Sequence, residues 1–389
     1  MTPEIEKLLG RKLLKPFRAG LVKPDSSLMV EEFLQKGQQL YKLFSDQVAL
    51  HKPEIHLAGT TNLRTDAFVS NLAGDHAYLV CLSYGLFANL HACFSGLMSH
   101  PAIMPHIGNP GNTNCRFTVA DYGLLDFTFD NEAVRQNTPF EEGFPLWNYP
   151  LDEERILYAL LLTDIACEYI LYHEWGHILG GHLQYIMQVW GATDIGEVAT
   201  VEPTAASPII MGEPIRKILE FEADYIAAKM VAGIPHALQV HKRTFFQAYP
   251  ASFLEKYDLR DAVVFSLMGL FHLFRELQVK ENKTNSANYP APYFRFCSLL
   301  FGIFRGENSD WTDQWDDYDY RGASEFARVS QLLQFDFLFS EEIYNPEATN
   351  AEILKLDDIL TAVAPLLAPY RLAGLDGIRE NLFVNSPKL

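Results

Sequence analysis

The chain has 389 residues, of which 48% are hydrophobic and 21% are charged. This composition is close to the average for soluble globular proteins, so it excludes global disorder, and the length excludes a single small module. The 49 acidic residues outnumber the 31 basic ones and give a net charge of −18. Because that charge repels phosphate groups and anionic lipid, we expect neither nucleic acid nor a membrane surface as a partner.

The cysteine pattern and the absence of a clear sorting signal favour the cytoplasm. The five cysteines are odd in number, widely spaced and never form C-x-x-C, so we expect neither a disulfide framework nor a cysteine zinc site. The first residues interleave charges with leucines and lack the apolar core of a secretion signal. The apolar stretches 156–172 and 263–274 are interrupted or short, which predicts buried core helices rather than membrane spans.

The first predicted elements are a helix and a β-hairpin. Ser26 or Ser27 can cap a helix that runs to about Phe44. The apolar runs 65–69 and 76–82 flank a turn with Gly and Asp, which predicts a hairpin, and a helix is predicted over 85–99. The hairpin either covers helices or offers an open edge to an extended substrate backbone, and the sequence favours neither interpretation.

Helical periodicity dominates the rest of the chain. It predicts a helix from Asp152 to about Trp190, a loop over 191–212 that serves as a connector or a lid, and then a series of helices: 214–232, 234–248, 259–280, 291–306, 322–338 and 348–367. The predicted fold class is therefore mainly α with a small β-sheet, an α+β protein.

The most informative string is His173-Glu174-Trp175-Gly176-His177, an H-E-x-x-H motif late in a long apolar helical pattern. With 3.6 residues per turn, His173 and His177 share one helix face with Cβ atoms about 5 to 6 Å apart, so their imidazoles can bind one zinc ion. Glu174 is rotated about 100° from His173, a position that suits a general base for a water activated by the metal.

The motif needs a third ligand, and His182 is one candidate. A third histidine six residues after the second would fall on Leu183, one position away from His182. In a continuous helix His182 would point about 180° away from His173. We therefore predict that His182 lies behind the ligands or on the surface, unless Gly180 and Gly181 break the helix.

Glu220 is the better candidate for the third ligand. Glu220 and Asp224 are spaced i, i+4 on the next predicted helix, so Glu220 can bind zinc while Asp224 accepts a hydrogen bond from a ligand imidazole. Glu222 points about 200° away from Glu220, and we predict no such partner for it. Two histidines and one glutamate, with a fourth position for water, are the ligands of a catalytic zinc site.

The string His173-Glu174-x-x-His177 followed by Glu220-x-x-Ala223-Asp224 resembles the gluzincin metallopeptidases. Within that group the chain looks most like the phage-exclusion peptidase Lit family, and more distantly like the HtpX and CAAX-prenyl-protease family. The likeness implies a zincin-like core over residues 59–232. The sequence pattern predicts an N-terminal helical segment, 1–58, before this core and a helical C-terminal region, 233–389, packed on it.

The likeness also implies hydrolysis of a peptide bond in a protein or peptide substrate, with zinc as cofactor and Glu174 passing a proton to the leaving amine. The Lit family further implies cleavage of a host protein after a phage signal. The alternatives are a non-catalytic zinc-stabilised binding module and a zinc hydrolase of a non-peptide amide. The sequence carries no signal for the oligomeric state.

A further donor is expected to stabilise the oxyanion of such a reaction. The candidates are His236, His241, His272 and Tyr289. Tyr289 is preferred because it precedes a proline, and the extended backbone there can reach a cleft; a packed tyrosine is the alternative. His272 lies in an apolar run and is by default a core histidine.

Overall fold

The fold is known from a computed structural model that describes the following residues: 34–35, 37–39, 41, 53–60, 65–72, 77–115, 149–190, 194–196, 213–241, 249–280, 295–296, 299, 321–333 and 346–372. The described chain is mostly helical with a small sheet, which confirms the predicted fold class at that level. The predicted cap at Ser26 or Ser27 lies outside the described residues, and residues 34–41, where described, are helical.

The strands, in chain order, are β1 (Glu54–Thr60), β2 (Ala67–Asn71), β3 (Ala77–Ser83), β4 (Thr113–Asn114), β5 (Tyr149–Pro150) and β6 (Asp194–Gly196). The helices are α1 (Tyr84–Ser99), α2 (Glu153–Leu179), α3 (His182–Trp190), α4 (Glu213–Val231), α5 (Ile234–His241), α6 (Ala251–Leu254), α7 (Leu259–Lys280), α8 (Arg321–Leu333) and α9 (Pro346–Leu367).

The main sheet has the strand order β1-β3-β2-β6. Strands β2 and β3 pair antiparallel with Val69 opposite Val80, which confirms the predicted hairpin. Strand β1 runs parallel to β3, and β6 runs antiparallel to β2. Both hairpin strands are therefore interior strands of the sheet, and the interpretation that the hairpin offers an open edge to a substrate is wrong.

Strand β1 was not predicted, and its first residues fall in the stretch expected to be helical. Its parallel pairing partner lies more than twenty residues away, so local periodicity carries little signal for it. The Gln38 side chain covers the outer edge of β1. Its amide donates a hydrogen bond to the Ile55 carbonyl and accepts one from the Leu57 N–H, each at 2.6 Å.

Helix α2 is the central element, because it packs against α1, α4 and α7. By length and composition it is apolar enough to cross a membrane, but 83% of its most apolar window is buried inside the fold. Such burial is typical of the core helix of a soluble protein. The four cysteines that the structure describes are free, and Cys297 lies outside the described residues.

The N-terminal end of α2 is held by two side chains. The carboxylate of Asp152 caps the helix by accepting a hydrogen bond from the Arg155 N–H. The buried guanidinium of Arg155 donates five hydrogen bonds to backbone carbonyls of the last turn of α1 and of the segment after it, at Met98, His100, Ile103, Met104 and Ile107. All five guanidinium donors are thus used, which fixes α2 against α1.

The predicted helix from Asp152 to Trp190 is in fact two helices. Helix α2 ends at Leu179, Gly181 adopts the left-handed conformation with φ +73°, and α3 begins at His182. A Cβ on Gly181 would also collide with the backbone of Tyr370. The chain therefore turns at the only kind of residue that tolerates both constraints.

Candidate metal centre

The two motifs meet because α2 and α4 approach each other closely at Gly176. A Cβ atom on Gly176 would lie 3.0 Å from the Cα and the carbonyl oxygen of Ala223. That distance is tighter than most real Cβ contacts, so glycine in the first motif and alanine in the second permit the backbones to touch. This contact brings the histidines of α2 within reach of the acidic residues of α4.

The side chains of His173, His177 and Glu220 converge on one point. The two imidazole Nε2 atoms are 3.1 Å apart, and the Glu220 carboxylate lies 3.3 Å from His173 Nε2 and 3.7 Å from His177 Nε2. All three side chains are buried, and their ligand atoms lie within 4.8 Å of one another. This buried group could hold a metal ion.

The separations across the group are those of ligands that share one ion. Ligands bound to a transition-metal ion at about 2.0 to 2.1 Å lie roughly 3 Å apart. The Nε2 atoms are 3.1 Å apart, and the two Glu220 oxygens lie 3.3 Å from His173 Nε2 and 3.7 Å from His177 Nε2, respectively.

His173 is held from behind by Asp224. Its Nδ1 atom lies 2.8 Å from the Asp224 carboxylate. That carboxylate also accepts a hydrogen bond from the Tyr169 hydroxyl and two hydrogen bonds from the Arg295 guanidinium, both at 2.8 Å. Burial alone would raise the pKa of Asp224, but the Arg295 charge and its hydrogen bonds outweigh that effect and hold the pKa well below its ordinary value. Asp224 is therefore ionised, and its carboxylate accepts a hydrogen bond from the Nδ1–H group of His173.

His177 is held by a second chain of contacts, through His182. The Nδ1 atoms of His177 and His182 are 2.9 Å apart, and His182 Nε2 lies 3.0 Å from the carboxylate of Glu222. The other oxygen of Glu222 accepts a hydrogen bond from Arg371 at 2.6 Å. The prediction that Glu222 has no such partner is wrong, because the Gly180–Gly181 break turns His182 back toward α4.

For neutral rings, these contacts assign the proton positions. A carboxylate only accepts, so His173 Nδ1 and His182 Nε2 carry hydrogens. His182 Nδ1 is then an acceptor, and His177 Nδ1 donates to it. Burial lowers the pKa of His177 well below its ordinary value and keeps the ring neutral. Both Nε2 atoms therefore present lone pairs to Glu220, an arrangement of acceptors that a cation satisfies.

The charges around this point also call for a cation. Among the described residues, and with neutral histidines, the cluster has four carboxylates and two guanidinium groups, so the net charge of these described members is −2. Its charged members are Glu174, Glu220, Glu222, Asp224, Arg295 and Arg371, and all are buried except Arg371, whose side chain is 18% exposed. A divalent ion bound among these side chains would offset that charge.

Glu174 follows His173 in the motif and is 1% exposed. Its neighbour is Tyr41, whose hydroxyl donates to the Leu171 carbonyl at 2.9 Å and whose ring lies 6.5 Å from that of Trp175. Burial and, to a lesser extent, the Glu174 charge raise the pKa of Tyr41 well above its ordinary value. Tyr41 was not predicted as a neighbour of the site.

The predicted oxyanion donors have different outcomes. Tyr289 lies outside the described residues, so its role stays a prediction. His272 is buried and its Nε2 lies 2.9 Å from Glu276, as expected for a core histidine with a partner. His236 and His241 lie on α5.

Arg295 and Arg371 were missed from the sequence, although both reach the carboxylates behind the candidate ligands. Each is a single arginine far downstream of the motifs, and neither has a local spacing that relates it to them. One signal was available: two buried acidic residues near the ligands, Glu222 and Asp224, require cationic partners.

No protein-family model, curated protein or solved structure matches this chain in sequence or fold.

Proposed function

We propose that this protein is a soluble, cytoplasmic, zinc-dependent endopeptidase that hydrolyses a peptide bond in a specific protein substrate. The observation that carries the proposal is the convergence of His173 Nε2, His177 Nε2 and the Glu220 carboxylate within 4.8 Å, next to Glu174 of the same motif. Two imidazoles and one carboxylate on facing helices are the ligands of gluzincin-type catalytic sites.

Zinc is the proposed ion because both the donor types and their spacing suit it. Two nitrogen donors and one carboxylate are common zinc ligands, and separations of 3.1 to 3.7 Å leave room for one ion between them. When bound, zinc would supply a Lewis acid that polarises a carbonyl and makes water nucleophilic near neutral pH.

The chain itself supplies the proton transfers and the orientation. Glu174 adjoins the ligand His173 in a site shielded from solvent, and its carboxylate is proposed to take a proton from the attacking water and to deliver it to the leaving amine. The paired Asp224 and His182 keep the Nδ1 protons of the two rings in place, so the Nε2 lone pairs stay directed at the metal position.

The presence of Glu174 argues against a purely structural zinc site. A structural site has four protein ligands, whereas the metal-binding group in the described residues has three, and a structural site has no use for an acidic side chain beside it. A hydrolase of non-peptide amides would use the same residues, so the substrate separates it from a peptidase.

The test combines metal analysis with a search for cleaved proteins. Wild type should carry about one zinc per chain, His173→Ala and Glu220→Ala should lose it, and Glu174→Gln should keep it. Extracts of uninfected and phage-infected cells are treated with wild type or Glu174→Gln and analysed by terminal-peptide mass spectrometry. New protein termini should appear with wild type and fall by about 10²-fold or more with Glu174→Gln.

Glu153→Gln is the matched control, because it makes the same change in the first turn of α2, away from the motif. It should cleave like wild type. If wild type and Glu174→Gln give identical termini in every extract while both hold zinc, the peptidase proposal fails and the binding-module alternative gains support. Retention of zinc by Glu220→Ala would show that the third ligand is assigned wrongly.

A further inference from the structure

The side chains behind His177 form a continuous series of contacts that leads from the candidate metal position to the C-terminal end of the described residues. The series runs from His177 through His182 and Glu222 to Arg371, with successive distances of 2.9, 3.0 and 2.6 Å. Its first three members are buried, so water does not compete for these contacts. Every link has one donor and one acceptor once the rings have the tautomers assigned above.

We propose that His182 is a positioning residue for the metal ligand His177, and that Arg371 holds His182 in place through Glu222. The segment 370–372 thereby contributes to metal retention although none of its residues touches the metal position. This inference rests on the metal site of the proposed function, but it does not depend on peptidase activity.

Two observations show that the segment 370–372 is docked at this place. The Leu372 N–H donates to the Leu179 carbonyl at 3.1 Å, and the Tyr370 hydroxyl donates to Gln188 at 3.0 Å. The docking depends on Gly181, because a Cβ atom there would collide with the backbone carbonyl of Tyr370 and lie 2.7 Å from the backbone nitrogen of Arg371. The left-handed glycine that turns His182 toward Glu222 therefore also makes room for Arg371.

The two candidate histidine ligands are supported in the same way. His173 donates to Asp224, which Arg295 neutralises, just as His182 donates to Glu222, which Arg371 neutralises. In each case a buried carboxylate orients a ring, and an arginine from the C-terminal region pairs with that carboxylate. The support of His177 includes one more imidazole, that of His182, because Glu222 projects from a different face of α4 than Asp224 does.

Without Arg371 the buried Glu222 carboxylate would lack its cationic partner. A buried carboxylate without its cationic partner is costly, so the side chain would withdraw toward solvent, and that movement weakens the contact with His182. Without His182 the Nδ1 proton of His177 would lose its acceptor, and the ring could rotate away from the metal position. Loss of such supporting contacts typically lowers metal affinity about 10- to 100-fold.

The experiment measures zinc affinity by competition with a chromophoric chelator, in the full-length chain and without substrate. His182→Leu keeps much of the side-chain volume but removes both contacts, and we expect its affinity to fall by about 10- to 100-fold. Arg371→Met should lose at least about tenfold, and Arg371→Lys, which keeps the charge, should lie between Arg371→Met and wild type. The cobalt(II) absorption bands of His182→Leu should also shift, because the orientation of the His177 ring is no longer fixed.

Gln188→Ala is the matched control. It removes a contact of the same segment, the hydrogen bond with Tyr370, but leaves the side-chain contacts that connect His177 to Arg371 intact. The zinc affinity and cobalt spectrum of this variant should therefore equal those of wild type. If His182→Leu does not fold, the two Arg371 variants decide, since that side chain is partly exposed.

The outcomes separate this inference from the proposed function. Equal zinc affinity in wild type, His182→Leu and Arg371→Met would overturn the inference and leave the peptidase proposal standing. Tight zinc binding that depends on His182 and Arg371, in a protein that cleaves nothing, would overturn the peptidase proposal and support the inference. A wild type that binds no zinc would overturn both.

Discussion

The carboxylate of Asp224 has partners on three sides, namely His173, Tyr169 and Arg295. All of its hydrogen-bonding capacity is directed at donors, so a neutral amide of the same shape cannot replace it. In Asp224→Asn the amide NH₂ group would face either the imidazole N–H or the guanidinium fork of Arg295, and one donor would meet another.

We predict that Asp224→Asn lowers zinc affinity by about 10- to 100-fold and destabilises the fold by about 3 to 5 kcal/mol, because the buried Arg295 charge loses its partner. Chelator competition and chemical denaturation measure the two effects. Asp258→Asn is the control, since Asp258 also accepts a bidentate pair from an arginine, Arg260, at a partly exposed site. Zinc affinity in Asp258→Asn should be unchanged, and an unchanged affinity in Asp224→Asn would contradict the role given to this carboxylate.

At the scale of elements, the contact between α2 and α4 decides whether the two motifs can form one site. The contact is made by Gly176 and Ala223, which contribute no ligand atoms but let the helix backbones touch. Helices usually pack with their axes 8 to 10 Å apart, and the closest approaches need small residues at the crossing point.

We predict that Gly176→Ala lowers both zinc affinity and stability. The added methyl group would lie 3.0 Å from the Ala223 backbone, so the helices would have to move apart, at a cost of about 1 to 3 kcal/mol. Zinc titration and thermal unfolding measure the effects. Gly111→Ala makes the same change where the nearest atom would be 3.5 Å away, so we expect it to be neutral. Equal zinc affinity in both variants would show that the helix contact does not control the site.

The elements that were predicted correctly have local signals. The hairpin and the helices α1, α4, α5 and α7 follow from periodicity, and the pairing of the two motifs follows from i, i+4 spacing on two helices. The parallel pairing of β1 and the addition of β6 to β2 are long-range contacts, for which a single sequence carries no comparable signal.

The turn at Gly180 and Gly181 shows where local reasoning fails. Two glycines indicate that a break is possible, but the direction of His182 after the break depends on tertiary contacts. His182 meets Glu222, and Gly181 accommodates Tyr370, only because α4 and the end of α9 lie nearby. The same reason explains Arg295 and Arg371, whose importance depends on buried carboxylates that are distant in sequence.

At the scale of the whole molecule, the metal site lies where three parts of the chain meet. Helix α2 provides the histidines, α4 provides the acidic residues, and the C-terminal region provides the two arginines. The side chains that surround the candidate metal position therefore also connect these three parts of the fold. Metal binding and global stability are therefore expected to be coupled.

The net charge of −2 over the described members of the cluster makes this coupling testable. Without a cation the carboxylates repel one another in a site shielded from solvent, so removal of zinc should destabilise the whole fold. At zinc concentrations about 100-fold above the dissociation constant, the free energy of unfolding should rise by about 2.7 kcal/mol. Thermal unfolding in excess chelator and in excess zinc measures the difference.

Glu220→Gln provides a crossed control for this prediction. The variant removes one negative charge as well as a ligand, so in chelator it should unfold at a higher temperature than wild type, because the repulsion is smaller. In zinc the order should reverse, since only wild type gains the binding energy. A wild type that unfolds at the same temperature in zinc and in chelator would contradict the coupling. This reversal of the order of unfolding temperatures distinguishes a charge cluster that needs a cation from a buried network whose hydrogen bonds and charges are already paired. Glu220→Gln would weaken such a paired network in zinc and in chelator alike.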